Sequence, residues 1–290
     1  MTPRFREVRD PLTNEIFRIE RCGRCGLGHT LPQPGDLGSY YSPAYYGNRH
    51  GFTARHCSRR RLGFVISAMG GRMPGRVLDI GCGDGTFLLE AREAGWQVMG
   101  TELNPDMARE AGLDVHENLT QIGDKERFDC ITMWHTLEHM RDIPSTLKRA
   151  GSLLDEKGRL VIAVPDWGGN QATVFRERWL HLDVPRHLYH FDMGSLKSAL
   201  EASGFSLERH WHHEFEYDLL GWSQSALNWL MPRPNIFFNA LTGKRSDMSK
   251  AVKAAVVALG AMLSAVALPA LALETIAGRG GTLIAVAKKC

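Results

Sequence analysis

Apolar runs alternate with amphipathic stretches through the middle of the chain, from about residue 59 to residue 215. Short runs at 76–80, 96–101, 128–134 and 159–164 are almost continuously apolar, which is typical of strands buried on both faces. The stretches between them repeat apolar positions at helical spacing. Strands that alternate with helices in this way predict an α/β fold with a parallel sheet covered by helices.

The segments around this core have different patterns. Residues 1–58 are rich in Arg, Gly and Pro and follow no clear period, so we expect an N-terminal arm or cap with one short strand near 17–20. Residues 216–279 are predicted as a helical insertion, and 280–290 as a final core strand. With the core at 59–215, these segments make up the expected domain organisation.

Composition places the chain among ordinary globular proteins. Its 290 residues include 35 Lys plus Arg and 32 Asp plus Glu, a net charge of +3, which gives no reason to expect a nucleic-acid partner. Residues 1–61 nevertheless hold 11 basic and 5 acidic residues. The N-terminus has no apolar stretch typical of a signal peptide, so we expect a cytoplasmic protein with free thiols.

The six cysteines are too scattered for a disulfide framework. Cys82 and Cys130 lie in apolar surroundings and are expected to be buried as small hydrophobic residues. Cys22 and Cys25 have the spacing of a metal knuckle, but one such pair supplies half of a tetrahedral zinc site. We therefore expect a metal-free turn, with zinc completed by His29, His56 or Cys57 as the alternative.

Residues 254–273 carry no charge over 20 positions, a length that can span a bilayer. Gly260 and Pro269 weaken that interpretation, and the following strand has to return to the sheet. We expect helices buried against the domain or against a second subunit, as in a homodimer. The alternative is a helix at the membrane surface, on the inner face of the membrane, supported by the basic N-terminal arm.

The clearest chemical signal follows the strand at 76–80. Gly81, Gly83 and Gly85 alternate with other residues before a predicted helix, so the backbone can pass close to a ligand in conformations that other residues avoid. Glu102 ends the next strand, where a carboxylate can accept both hydroxyls of a ribose. This arrangement predicts an adenosine-containing ligand.

Two residues narrow the type of adenosine ligand. The dinucleotide fingerprint requires glycine at position 86, where this chain has Thr86. Asp79, at the end of the strand before the glycines, would repel a pyrophosphate. A nucleoside with an ammonium or sulfonium group is therefore favoured over a nicotinamide dinucleotide.

These residues resemble the class I S-adenosylmethionine-dependent methyltransferases. The resemblance rests on the glycine motif at 77–85, on Glu102, and on the motifs at 128–139 and 153–162. It implies a Rossmann-like, seven-stranded, mostly parallel sheet whose last strand is antiparallel. That strand would be 281–287, inserted beside 205–210.

The same resemblance implies S-adenosylmethionine as the cofactor. The cofactor-binding residues that it implies are Asp79, Gly81, Cys82, Gly83, Gly85, Phe87, Glu102, Leu103, Asn118, Leu119, Trp134 and His135.

A narrower resemblance adds the pattern at 22–27, the tyrosine pairs at 40–41 and 45–46, and the motifs at 165–167 and 184–191. These are similar to a bacterial subgroup close to the ubiquinone-biosynthesis O-methyltransferases. The subgroup implies O-methylation of a small-molecule or lipid-linked acceptor, such as a sugar, a lipid-linked glycan or an isoprenoid-type molecule.

An oxygen or nitrogen acceptor usually loses a proton during methyl transfer, and histidine suits that task near neutral pH. His135 follows the fourth strand, while His187 and His190 follow the fifth, and ligands bind at the carboxyl ends of such strands. We expect these three as candidates for the base. The alternative function is a non-catalytic, cofactor-binding or membrane-associated scaffold with the same fold.

Overall fold

The computed structural model describes residues 1–41, 54–231, 234–242 and 248–290. The tyrosine pair at 45–46 lies outside these residues. The chain forms two compact units, each containing one β-sheet. The small-sheet unit comprises Met1–Gly51, Pro165–Ser195 and His212–Leu283, and the large-sheet unit comprises Phe52–Val164, Leu196–Trp211 and Ile284–Cys290.

The small-sheet unit contains four antiparallel strands in the spatial order β1-β2-β3-β9. Their bounds are β1 Thr2–Arg9, β2 Ile16–Arg21, β3 Gly28–Leu31 and β9 Tyr189–His190. The helices of this unit are α5 Asn170–Phe175, α7 Phe215–Leu230, α8 Ile236–Thr242 and α9 Lys250–Ile276. A buried ion pair joins the Arg186 guanidinium to Asp10 at 2.8 Å.

The expectation of a single short strand in the N-terminal arm was wrong, because this segment contributes three strands to the small sheet. Phe17 and Ile19 alternate with exposed residues as the expected strand near 17–20 requires. On β1, however, the register shifts between Phe5 and Val8. Both side chains are buried although they are three positions apart, so the sequence does not show the two-residue period of a regular strand.

The large-sheet unit contains the seven-stranded sheet, in the order β10-β11-β8-β7-β4-β5-β6. Its strands are β4 Arg76–Ile80, β5 Gln97–Thr101, β6 Val115–His116, β7 Phe128–Trp134, β8 Leu154–Pro165, β10 Phe205–Trp211 and β11 Thr282–Lys289. Its helices are α1 Ala54–Ala68, α2 Thr86–Glu93, α3 Asp106–Glu110, α4 Ile143–Leu153 and α6 Met193–Ala202.

The predicted fold class is confirmed in this unit. Strands β4 to β8 pair in parallel, whereas β11 pairs antiparallel with β10, from Phe205 opposite Lys289 to Trp211 opposite Ile284. The final strand therefore lies between β10 and β8, as expected. Parallel pairing brings the carboxyl ends of β4, β5 and β7 to one edge of the sheet, where the predicted site residues Asp79, Glu102 and His135 lie.

The helical insertion is also confirmed, as α7, α8 and α9. Helix α9 continues through Gly260 and Pro269 and packs on α7 and α8. Within the part of the chain that the structure describes, α9 is the one helix that is long and apolar enough to cross a membrane. Only 22% of its most apolar window is buried. The predicted packing of this segment against the domain is therefore confirmed for one face of the helix only. The four-segment domain organisation expected from the sequence stays a prediction.

Candidate active site

The loop after β4 needs glycine at two positions for its own packing. Gly81 has φ +77°, and its N–H donates to the Thr101 carbonyl at 2.7 Å. A Cβ there would lie 2.5 Å from the Thr136 side chain, and one at Gly85 would lie 2.3 Å from Leu113. Both positions therefore exclude larger residues.

Gly83 differs from its two neighbours in the motif. Its φ is +59°, but nothing lies within 4 Å of where a Cβ would be. Its N–H donates to Glu102 Oε2 at 2.9 Å. The carboxylate at the end of β5 thus holds the middle of the glycine loop, beside open space into which a ligand can approach the backbone.

Asp79 lies buried at the end of β4 and receives a 2.6 Å hydrogen bond from the Thr132 hydroxyl. Burial raises the pKa of Asp79 to about 7, although the Thr132 hydrogen bond and the Arg61 charge both act to lower it. A cationic group bound here would favour the ionised carboxylate.

Arg61, whose buried side chain belongs to α1, is a site residue that was not predicted from the sequence. Its guanidinium lies 5.3 Å from the centre of the Trp134 ring, and its charge acts on Asp79. A signal was present: Arg61 is four residues from Cys57 and from Val65, and all three belong to the buried stripe of α1. A charged residue within an apolar stripe indicates a site that uses the charge.

Cys82, Phe87 and Trp134 form apolar packing around the loop. The Phe87 and Trp134 rings meet edge to face at 5.6 Å, and the Cys82 sulfur lies 2.7 Å from where a Cβ on Gly100 would be. Burial raises the pKa of the Cys82 thiol, so this residue packs as a neutral group. The expected burial of Cys82 and Cys130 is confirmed.

The remaining predicted cofactor residues lie beyond β5 and β6. Leu103 follows Glu102 and is 73% exposed. Asn118 caps a short 3-10 turn at Leu119–Gln121, where its Oδ1 accepts from the Thr120 N–H at 3.0 Å. The Asn118 oxygen is therefore already engaged, whereas its side-chain NH2 can donate to a ligand.

His135 follows β7 directly and lies beside an acid. Its φ is +53°, a left-handed conformation that is uncommon outside glycine, and its N–H donates to the Ala163 carbonyl at 2.9 Å. Its Nδ1 lies 3.7 Å from Oε1 of Glu138, which is buried. This spacing lets the carboxylate stabilise a proton on the ring.

His187 and His190 belong to the small-sheet unit, with ring centres 6.4 Å apart. His187 Nδ1 lies 2.9 Å from the His181 carbonyl. Because a carbonyl can only accept, the neutral His187 ring has its proton on Nδ1 and its lone pair on Nε2. That tautomer is suited to act as a base.

His190 is bound differently. The Thr30 hydroxyl lies 2.6 Å from the His187 carbonyl, to which it donates, and 2.9 Å from His190 Nε2. His190 Nε2 must therefore donate to Thr30. Burial, and then the neighbouring positive groups led by His187, lower the pKa of His190 well below its usual value. The contacts favour a structural role for this ring, and its assignment as a base stays a prediction.

Cys22 and Cys25 lie in the turn between β2 and β3, half-buried and not disulfide-bonded. Backbone N–H groups of Cys25 and Arg24 lower the pKa of the Cys22 thiol to about 7. The turn itself is closed by the Gly26 N–H, which donates to the Cys22 carbonyl at 3.0 Å.

Comparison with known proteins identifies the same kind of domain at the level of the family and of individual relatives. A family model described as a methyltransferase domain matches residues 54–210. The ubiquinone biosynthesis O-methyltransferase of Rhodopseudomonas palustris (strain BisB5) is 25% identical over 140 residues, which cover 43% of this chain and 54% of that protein. The protein of the same name from Actinobacillus pleuropneumoniae serotype 7 (strain AP76) is 32% identical over 116 residues, covering 34% and 50%.

The chain thus spans about half the length of the curated relatives that it matches. Among solved structures, a protein provisionally assigned as a sarcosine dimethylglycine methyltransferase from Galdieria sulphuraria has a TM-score of 0.50. It is 14% identical, and the match covers 81% of this chain and 84% of that one. This likeness supports the fold.

Proposed function

Because the chain belongs to the methyltransferase domain family, we propose that it transfers a methyl group from S-adenosylmethionine to an acceptor. The observation that carries the proposal is the contact between Gly83 and Glu102 beside open space. A glycine without a packing neighbour is what a ligand passing along the backbone requires. When bound, S-adenosylmethionine supplies an electrophilic methyl group on a positively charged sulfur.

The residues of the large-sheet unit fit each part of this cofactor. The Glu102 carboxylate can accept the ribose hydroxyls, and Asn118 can donate to the adenine. The amino-acid portion carries an ammonium and a carboxylate. Asp79 would accept the ammonium and Arg61 would bind the carboxylate, since these two buried groups have opposite charges and act on each other.

We assign the base to His135, supported by Glu138. The histidine would remove the acceptor proton, and the buried carboxylate would stabilise the charged ring. His187 is the second candidate, because its tautomer leaves a lone pair on Nε2. Oxygen is the preferred acceptor atom, since the curated relatives are named as O-methyltransferases.

The acceptor that we propose is a small molecule of the sugar or isoprenoid type, free or linked to a lipid, and methylated in the cytoplasm. It can be identified by mass spectrometry of small molecules and lipids from cells with and without the gene, as a difference of one methyl group. Absence of any methylated product, together with intact cofactor binding, would favour the non-catalytic scaffold.

The cofactor assignment is tested by calorimetry. Glu102→Ala removes charge-assisted hydrogen bonds, each of which contributes about 1.5–3 kcal/mol, so the affinity for S-adenosylmethionine should fall at least about tenfold. The matched control is Glu110→Ala, an exposed change on α3, which should bind normally. Equal affinity of the Glu102→Ala and control proteins would refute the ribose contact.

The base assignment is tested with the acceptor once it is known. His135→Gln should lower kcat by about a hundredfold or more while leaving the cofactor affinity within a few fold. His187→Gln gives the comparison. If only the His187 variant loses activity, the base is His187 and our first assignment is wrong.

A further inference from the structure

Helix α9 exposes an apolar surface that the rest of the described chain does not cover. The buried positions are Val256, Gly260, Ala267, Leu271 and Glu274, which are spaced three, four or seven apart and therefore lie on one face. The Phe237 ring of α8 lies against Gly260, 2.4 Å from where a Cβ would be. The large side chains exposed on the rest of the helix are Val252, Met262, Val266, Leu268, Leu273 and Ile276.

The helices that support α9 expose apolar side chains as well. Trp229 and Leu230, at the end of α7, are 55% and 67% exposed, and Leu241 of α8 is 49% exposed. Monomeric soluble proteins rarely expose so many large apolar side chains in one region. This concentration points to an interaction surface.

The exposed face of α9 is also poor in groups that form hydrogen bonds. Residues 254–273 contain a single polar side chain, that of Ser264. Its hydroxyl donates within the helix to the Gly260 carbonyl at 2.9 Å. The Thr275 hydroxyl donates likewise to Leu271 at 2.8 Å. A protein interface normally contains about one hydrogen bond per 100–200 Å², so this face is better matched to lipid chains.

The charges at the two ends of α9 complement an anionic membrane. Lys250 and Lys253 are exposed in the first turn, and Arg279 is exposed just after the helix. The acid of the helix, Glu274, is 1% exposed and accepts from Gln171 at 3.0 Å. Basic groups at the ends of an apolar helix, with no exposed acid along it, favour contact with anionic headgroups.

The contacts of the buried face fix the orientation of the helix. Glu274 is bound to Gln171, which also donates to the Asp218 carbonyl. Further along the same face, the Phe237 ring of α8 packs at Gly260. A helix held at these two points can lie on a bilayer, but it would have to break these contacts to span one.

We propose that α9 docks the protein on an anionic lipid bilayer, lying in the plane of the membrane with its exposed apolar face among the headgroups and upper acyl chains. This inference is independent of the proposed methyl transfer.

The test is flotation of the full chain with vesicles. The protein should float with phosphatidylcholine–phosphatidylglycerol vesicles, bind less to phosphatidylcholine alone, and lose binding in high salt. The triple variant Met262→Asn, Val266→Asn, Leu273→Asn should bind at least about tenfold more weakly. Lys250→Gln with Lys253→Gln should reduce the preference for anionic vesicles by about tenfold.

A matched control has three exposed apolar side chains replaced elsewhere, by Ile16→Asn, Met73→Asn and Met107→Asn, and should float like the wild type. Thermal unfolding and binding of S-adenosylmethionine report whether each variant is folded. Failure of the folded wild-type chain to float, or equal flotation of the triple variant, would overturn the proposal.

Two other outcomes would also overturn it. Resistance of membrane-bound protein to extraction by alkaline carbonate would indicate a span. A wild-type dimer in sedimentation that the triple variant converts to a monomer, without vesicle binding by either, would assign the surface to a second copy of the chain.

Discussion

Replacing Asp79 by asparagine should remove a pH dependence from cofactor binding. Burial raises the pKa of the Asp79 carboxyl to about 7 in the unliganded chain, so near neutral pH many molecules carry a proton there. The ammonium that we place beside this group binds the ionised carboxylate. Protonation below pH 7 therefore competes with the ligand, and the affinity should fall as the pH falls.

The size of the effect follows from the pKa. Well below pH 7 the ionised fraction drops about tenfold per pH unit, which is about 1.4 kcal/mol. Between about pH 7.5 and about pH 5.5 the dissociation constant for S-adenosylmethionine should rise about twentyfold. Measurements above about pH 7.7 are avoided because an α-amino group itself loses its proton there.

Calorimetry across this range, with three comparisons, isolates the carboxyl. Asp79→Asn should bind weakly with a flat pH profile, whereas Asp106→Asn, an exposed change in the first turn of α3, should follow the wild type. Adenosine has no ammonium and should show no loss of affinity at low pH. Glu102, which also faces Asp79, is present in both variants and so cannot account for a difference between them.

Two results would refute this reasoning. A wild-type affinity that does not change between these pH values would show that no ammonium binds the Asp79 carboxylate. Parallel profiles for the wild type and Asp79→Asn would assign the titration to another group.

Two further predictions concern the small-sheet unit. Burial raises the pKa of Glu274 from 4.5 to about 7, so the folded chain keeps a proton that the unfolded chain has lost, and stability should decrease as the pH rises through this window. The decrease is at most about 3 kcal/mol, and Glu274→Gln should abolish it in thermal unfolding measured across the window; an unchanged slope would contradict the burial argument. A Cβ at Gly28 would lie 2.6 Å from the Trp167 ring, so Gly28→Ala should lower the free energy of unfolding by about 1–3 kcal/mol. The control Gly23→Ala, with nothing within 4 Å, should be close to neutral in the same denaturant titration, and equal stabilities would show that the sheet accommodates the methyl group.

The sequence predicted the large sheet well because its central strands β4 and β7 are buried on both faces. The expected strand at 128–134 matches β7, Phe128–Trp134, since a mostly apolar run ends where the chain leaves the sheet. The loop after β4 was predictable for a similar reason. Its glycines and Asp79 are adjacent in sequence, so the geometry that brings them together is local.

Features that depend on distant contacts were not predictable in this way. The tautomer of His187 is set by the carbonyl of His181, and that of His190 by Thr30, which is 160 residues away. No spacing rule connects Thr30 to His190, because the chain that joins them passes through the large-sheet unit. His181 is six residues from His187, but no sequence pattern shows that its carbonyl faces the ring. The sequence could therefore nominate the histidines as bases, but it could not distinguish a lone pair from a bound N–H.

Helix α9 shows why composition alone left three interpretations of the charge-free segment. A buried helix, a membrane span and a surface helix can all contain 20 uncharged residues. The pattern of burial argues against the first of these. Small residues such as Gly260 and Ala267 lie on the packed face, and the Phe237 ring approaches Gly260 closely. The larger side chains Val266 and Leu273 are 70% and 69% exposed, the reverse of what a helix in a soluble core requires. The packed face consists of Val256, Gly260, Ala267, Leu271 and Glu274, which leaves the large apolar side chains on the rest of the helix available to a lipid surface.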